Sequence, residues 1–85
     1  MKIYQIEILG SGEMSWYHSR VGVGYFAIWA SAPGSEFKVL CESGSSDFLP
    51  GHYVALEHCR ILGEFDGGYE PKASVTVYRD DGVEL

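Results

Sequence analysis

The chain has 85 residues, which allows one domain with a modest core. A hydrophobic content of 46%, with 14% aromatic residues, excludes a disordered chain, and two cysteines exclude a disulfide framework. Twelve acidic residues against six Lys and Arg give a net charge of −6, which disfavours phosphate ligands and favours a basic partner, although acidic surfaces also keep small proteins soluble.

The start of the chain predicts a strand followed by a loop. Residues 2–9 alternate apolar and polar side chains, as a half-buried strand does. Residues 13–20 have no clean period, so we expect a loop or wide turn that carries Trp16 and Tyr17. In this loop the aromatic pair is either exposed to a partner or folded back, with Trp16 capping the core.

The next segment predicts a β-hairpin. Residues 21–30 are apolar on both faces, which indicates a central strand, and residues 32–35 contain Pro and Gly side by side, which indicates a turn. Along residues 36–42 every second side chain is apolar. This alternation predicts one buried face made by Phe37, Val39 and Cys41.

The second half of the chain contains one ambiguous segment. Residues 52–62 favour a strand through their β-branched and aromatic side chains, but residues 53–62 also fit a helix with Gly63 as its C-cap. Gly67 and Gly68 together indicate a turn, and the alternation of residues 72–79 predicts the last strand.

These elements predict a mainly β fold over residues 1–85, as a single domain. We expect a small five-stranded antiparallel barrel, OB-like or SH3-like, because closure removes exposed strand edges. The alternative is an α+β fold with a helix at 53–62. Because residues 21–30 are apolar on both faces, we also expect a homodimer that buries the second face against another copy.

Location follows from what the sequence lacks. Met1 leads directly into a strand, so we expect no signal peptide, and no apolar run approaches the ~18 residues of a membrane span. We therefore expect no membrane partner and a cytoplasmic protein with reduced thiols, in the cytoplasm of the host cell if a phage encodes it.

The residues capable of chemistry do not form a recognisable catalytic or metal-binding motif. His58 and Cys59 are adjacent, so on a strand they point to opposite faces and cannot readily share a metal ion. Cys41 and Cys59 both fall on apolar stripes, which predicts buried thiols. No glycine-rich phosphate loop is complete. We expect no catalytic residues, no metal and no cofactor.

One part of the sequence resembles the single-stranded-DNA-binding proteins of filamentous phages. The similar residues are 48–53, which read Phe-Leu-Pro-Gly-His-Tyr, and Gly63-Glu64-Phe65 downstream. With residues 37–40 included, the match spans residues 37–65, about a third of the chain. The resemblance implies an OB-like dimer in which Phe65 stacks on bases from a hairpin tip, with Tyr17 or Tyr25 in the DNA-binding loop.

The chain departs from that family in charge. Residues 10–24, which correspond to a loop rich in Arg and Lys in the family, contain one Arg and one Glu, and Asp66 directly follows Phe65. A single-stranded-DNA site needs a cationic groove along the backbone. The resemblance therefore supports the fold more than the function.

The first functional hypothesis is a non-enzymatic acidic binding module. By analogy, small acidic proteins of phages and mobile elements inhibit nucleic-acid machinery, including CRISPR complexes, by occupying basic grooves. We therefore expect an inhibitor of a basic nucleic-acid-handling protein, and the alternative is an OB-fold protein that binds single-stranded DNA. The expected partner-binding residues are Trp16, Tyr17, Arg20, Glu57, Glu64, Phe65, Asp66 and Glu70.

Overall fold

The computed structural model describes residues 1–10, 12, 15–31, 34–71 and 74–82. Its strands are β1 (Lys2–Ile8), β2 (Gly24–Trp29), β3 (Glu36–Glu42), β4 (Tyr53–Ala55), β5 (Cys59–Pro71) and β6 (Val75–Arg79), with one 3₁₀ turn at Leu56–His58. All the strand pairs are antiparallel, and they form one six-stranded sheet in the order β4-β3-β2-β1-β5-β6. The predicted mainly β fold is confirmed, with six strands in place of five.

The strongly alternating segments fold as predicted. β1 and β3 match their predicted bounds to within one residue, and β2 lies at the centre of the predicted strand. Of the predicted turn at 32–35, residues 32 and 33 lie outside the described part, while Gly34 has a φ of +87°, as a turn glycine does. Residues 13 and 14 of the predicted loop and residues 72 and 73 of the predicted last strand also lie outside it.

The helix considered for residues 53–62 is wrong. This segment forms the short strand β4, a single 3₁₀ turn and the start of β5. β4 hydrogen-bonds with β3, where Val54 lies opposite Phe37 and is fully buried, so pairing with the sheet outweighs the helical pattern.

The turn predicted at Gly67 and Gly68 is also wrong, since both residues lie inside β5. Gly67 lies so close to β6 that a Cβ atom there would overlap the carbonyl oxygen of Tyr78, and a Cβ at Gly68 would lie 2.6 Å from the Tyr78 hydroxyl oxygen. The two glycines therefore serve close approach between two strands and not a reversal of the chain.

The sheet buries a cluster of apolar side chains on each face. The first core contains Ile6 and Ile8 of β1, Tyr25 of β2 and Val39 of β3. The second core contains Ile3 of β1, Phe26 of β2, Leu40 and Cys41 of β3, and Val75 and Val77 of β6. Both faces of β2 are therefore covered by this chain itself, which accounts for its unbroken apolar sequence.

A β-bulge divides the predicted buried face of β3. The register between β2 and β3 shifts between Phe26 and Ala27, so that Val39 faces the first core and Cys41 the second. Cys41 and Cys59 are both buried, as predicted, and burial raises the pKa of each thiol to about 11.

The last strand contacts the segment that follows β3. An isolated antiparallel bridge joins Asp47 to Ser74, and the Val75 N–H donates to the carbonyl oxygen of Ser46 at 2.7 Å. Strand β6 therefore lies over the second core between β5 on one side and this segment on the other.

Among the described residues, no helix is long and apolar enough to cross a membrane.

Candidate functional site

A cleft of about 210 Å³ opens where the β1–β2 connection meets β2, the end of β3 and the segment that follows β3. Its walls combine aromatic and charged side chains, which the two other described depressions do not. The lining residues are Trp16, Arg20, Tyr25, Glu42, Ser45, Asp47, Leu49 and His52.

Trp16 forms a fixed aromatic wall of the cleft. Its indole Nε1–H donates to the carbonyl oxygen of Tyr53 at 2.8 Å, and its ring packs edge-on against Tyr25 and His52 at centroid distances of 5.4 and 4.8 Å. The ring is half-buried. Of the two placements expected for Trp16, the structure has the one in which the loop folds back onto the core.

Tyr17 lies beside Trp16 in the sequence but not in the cleft. It is buried in the first core, and its hydroxyl group shares a hydrogen bond of 2.7 Å with Nδ1 of His58. Adjacent residues of this turn therefore have different roles: Trp16 faces the cleft, while Tyr17 fixes the connection to the sheet.

A tight turn after β3 brings two carboxylates to the same cleft. Gly44 has a φ of +84°, and the Ser45 N–H donates to the carbonyl oxygen of Glu42 at 2.9 Å, so the chain reverses here. Glu42 precedes the turn and Asp47 follows it. The Asp47 N–H donates to Ser45 Oγ at 3.1 Å, which fixes the backbone on the outgoing side.

The cleft has an excess of negative charge. Glu42 and Asp47 contribute two carboxylates and Arg20 one guanidinium, so the net charge of the lining is −1 with His52 neutral. In the described part of the chain, none of these three side chains forms an ion pair. Burial raises the pKa of Tyr25. The positive charge of Arg20 opposes this rise and the negative charge of Glu42 adds to it, so both charged groups act on the Tyr25 hydroxyl group.

The hydrogen bond of His52 shows which of its two ring nitrogens carries a hydrogen. Its Nδ1 lies 3.0 Å from the carbonyl oxygen of Pro50, and because a carbonyl only accepts, Nδ1 carries the proton in this contact. In the neutral ring, Nε2 is then an acceptor. His52 therefore adds a polar ring to a cleft that is also lined by the carboxylates of Glu42 and Asp47.

No protein-family model matches the chain, and no curated protein or solved structure is significantly similar to it. Within the described residues, no group of three or more His, Cys, Asp or Glu side chains could hold a metal ion. Inferences about function therefore rest on the residues of the chain itself.

The other predicted partner-binding residues lie outside the cleft. Glu57 is exposed in the 3₁₀ turn, and Glu64, Asp66 and Glu70 are exposed along β5. Phe65 lies in the middle of β5 opposite Ile3, where its half-buried ring packs edge-on against Phe26, and not at a hairpin tip. Of the eight predicted residues, the structure brings only Trp16 and Arg20 together in the cleft.

Several lining residues were not among the predicted site residues. Glu42 and Asp47 flank a Gly-Ser turn, and a short turn keeps the residues on its two sides in the same part of the surface. That signal was present in the sequence. Tyr25, which the resemblance offered for a DNA-binding loop, is instead a buried residue of strand β2. Its position beside Trp16, like that of His52, depends on long-range packing.

Proposed function

We propose that this protein is a non-enzymatic acidic module that binds a basic protein of the nucleic-acid machinery and inhibits it by occupying its nucleic-acid groove. In this proposal a phage or another mobile element encodes the protein. The observation that carries the proposal is the pairing of charges on the surface. Carboxylates outnumber the cations, and most described cations are already neutralised within the chain.

Three of the described cations form ion pairs with neighbouring carboxylates. The pairs are Lys2–Asp66, Arg60–Glu7 and Arg79–Asp81, with N–O distances of 3.3, 2.5 and 2.7 Å. Glu64 and Glu70 are exposed and form no ion pair in the described part of the chain. A surface of this kind attracts basic proteins and steers their approach, and its attraction weakens with salt.

The state of the cysteines supports a role without catalysis. A nucleophilic cysteine reacts as the thiolate, at a pKa well below its ordinary value. Burial raises the pKa of Cys41 and of Cys59 to about 11, so both are neutral thiols at pH 7. His58, the histidine closest to Cys59 in sequence, shares its Nδ1 hydrogen bond with Tyr17.

Affinity capture from a bacterial lysate, compared between low and high salt, tests this function. We expect the chain to retain a basic nucleic-acid-binding protein at ~50 mM salt and to release it at ~500 mM. The purified partner should then lose its nucleic acid when the chain is added. A chain that retains no such partner at low salt, or a partner that keeps its nucleic acid, contradicts the proposal.

We further propose that the sheet curls into an OB-like barrel, closed between β6 and the segment after β3. The Asp47–Ser74 bridge and the hydrogen bond from Val75 to Ser46 support this closure. OB folds bind ligands on the face of their second and third strands and on the loop between the first two strands. In this proposal the cleft, which lies between the β1–β2 connection, β2 and the end of β3, would correspond to that ligand site.

That position supports a second candidate function, the binding of single-stranded DNA. Trp16 and Arg20 could supply an aromatic contact to a base and a cation to its phosphate. Titration of a labelled oligothymidine at ~50 mM salt tests it, with Arg20→Gln as the variant and Arg79→Gln as the control of equal charge. Micromolar binding that only Arg20→Gln weakens would place DNA binding ahead of the acidic module.

A further inference from the structure

The cleft beside Trp16 has the dimensions and chemistry of a subsite for one side chain. We infer that it receives an arginine side chain of the basic partner, an inference that rests on the proposed function and names the part of the surface that carries specificity. Small-molecule sites usually enclose about 300–1,000 Å³. The cleft encloses about 210 Å³, so it fits a single extended side chain better than a compact ligand.

The charges of the cleft favour a cation. Glu42 and Asp47 lie on the two sides of one turn and form no ion pair in the described part of the chain, so their oxygens are free to accept hydrogen bonds. A carboxylate binds a guanidinium group through two parallel hydrogen bonds, whereas an ammonium group acts as a point charge. Two carboxylates at one mouth therefore favour arginine over lysine.

The aromatic wall formed by Trp16 favours the same group. Its half-buried ring lines the cleft, and a guanidinium group is attracted to aromatic rings because it is planar and weakly hydrated. Trp16 is already held by its hydrogen bond to Tyr53 and by its ring contacts, and Asp47 by its backbone bridge to Ser74. Since these groups are ordered before a ligand arrives, binding orders little additional structure.

Arg20 provides a way to test whether the ligand of the cleft is a cation or an anion. Its guanidinium lines the same cleft and opposes the entry of a second cation. Replacing it with a neutral side chain should therefore tighten the binding of an arginine side chain. The same replacement should weaken the binding of an oligonucleotide, whose phosphates Arg20 would attract. The direction of the Arg20→Gln effect thus separates the two kinds of ligand.

The experiment titrates hexa-arginine and hexa-lysine peptides into the full chain at ~50 mM salt by isothermal titration calorimetry. We expect hexa-arginine to bind more tightly than hexa-lysine. Glu42→Gln and Asp47→Asn should each weaken hexa-arginine binding about tenfold, as the loss of a charge-assisted hydrogen bond does. Arg20→Gln should strengthen it. In nuclear magnetic resonance spectra, the indole N–H of Trp16 should shift and that of Trp29, whose ring stacks on Phe37, should not.

Glu36→Gln is the matched control. It removes the same charge from the same residue type at the opposite, exposed end of β3, so it should change hexa-arginine affinity less than about twofold. Equal losses for Glu42→Gln and Glu36→Gln, equal affinities for the two peptides, or weaker binding by Arg20→Gln would each overturn the arginine subsite. If those results accompany capture of a basic partner, the proposed function stands without the subsite. If no partner is captured, the proposed function fails separately.

Discussion

Gly67 offers a test of how β5 and β6 are joined. A Cβ atom at this position would overlap the carbonyl oxygen of Tyr78 and lie 3.1 Å from the Cα of Arg79. Both obstacles are backbone atoms, so no change of rotamer relieves the overlap, and Gly67→Ala must displace β6 from β5. Displacement of β6 loosens Val75 and Val77, which are 4% and 2% exposed in the second core.

The expected size of the effect follows from these two side chains. Full exposure of two valines costs about 3–6 kcal/mol, and forced overpacking typically costs about 1–3 kcal/mol. Partial displacement of β6 should therefore lower the free energy of unfolding by about 2–4 kcal/mol. Urea denaturation followed by tryptophan fluorescence measures this change as a shift of the midpoint with an unchanged slope.

Gly63→Ala is the control in the same strand. A Cβ at Gly63 meets nothing within 4 Å, so this variant should lie within about 1 kcal/mol of the wild type. The two variants differ only in what surrounds the added methyl group. If Gly67→Ala proves as stable as Gly63→Ala, the close approach of β5 and β6 does not exist as described.

Two further predictions concern buried polar groups. Burial raises the pKa of Cys41 and Cys59 from 9.0 to about 11. The contribution of these neutral thiols to stability should therefore be complete below pH 9 and should disappear as the pH rises to about 11. Urea midpoints measured across this pH range should fall less in a variant with alanine at both positions. Tyr17→Phe removes the hydrogen bond to His58 and should lower the free energy of unfolding, measured by urea denaturation, by about 1–2 kcal/mol. A decrease of less than about 0.5 kcal/mol would show that the contact stabilises the fold little.

The parts of the fold predicted from sequence are those set by local alternation. In β1, Tyr4, Ile6 and Ile8 face the same core, as their spacing requires. Where the sequence signal had two physical meanings, the prediction failed. The glycine pair at 67 and 68 could permit either a tight turn or the close approach of a second strand, and only the position of Tyr78 distinguishes the two.

The candidate site was predictable only in part, for a similar reason. The aperiodic polar stretch around Trp16 predicted a loop, and in the structure Trp16 packs against the first core and lines the cleft. Tyr17 is buried in the first core and Trp16 is half-buried beside the cleft because each ring meets a partner far away in sequence: Tyr17 meets His58, 41 residues away, and Trp16 meets Tyr53, 37 residues away. Local pattern does not contain that information.

The bridge between Asp47 and Ser74 has a consequence for motion. β6 is held by the second half of β5 and by this one connection, whereas β1 has a strand on each side. Strands with few partners open locally at a lower free energy than the whole fold, so amide hydrogens of β6 should exchange before those of β1. Since Asp47 is also a wall of the cleft, each opening of β6 releases one side of the cleft, and a ligand that holds Asp47 should slow exchange in β6.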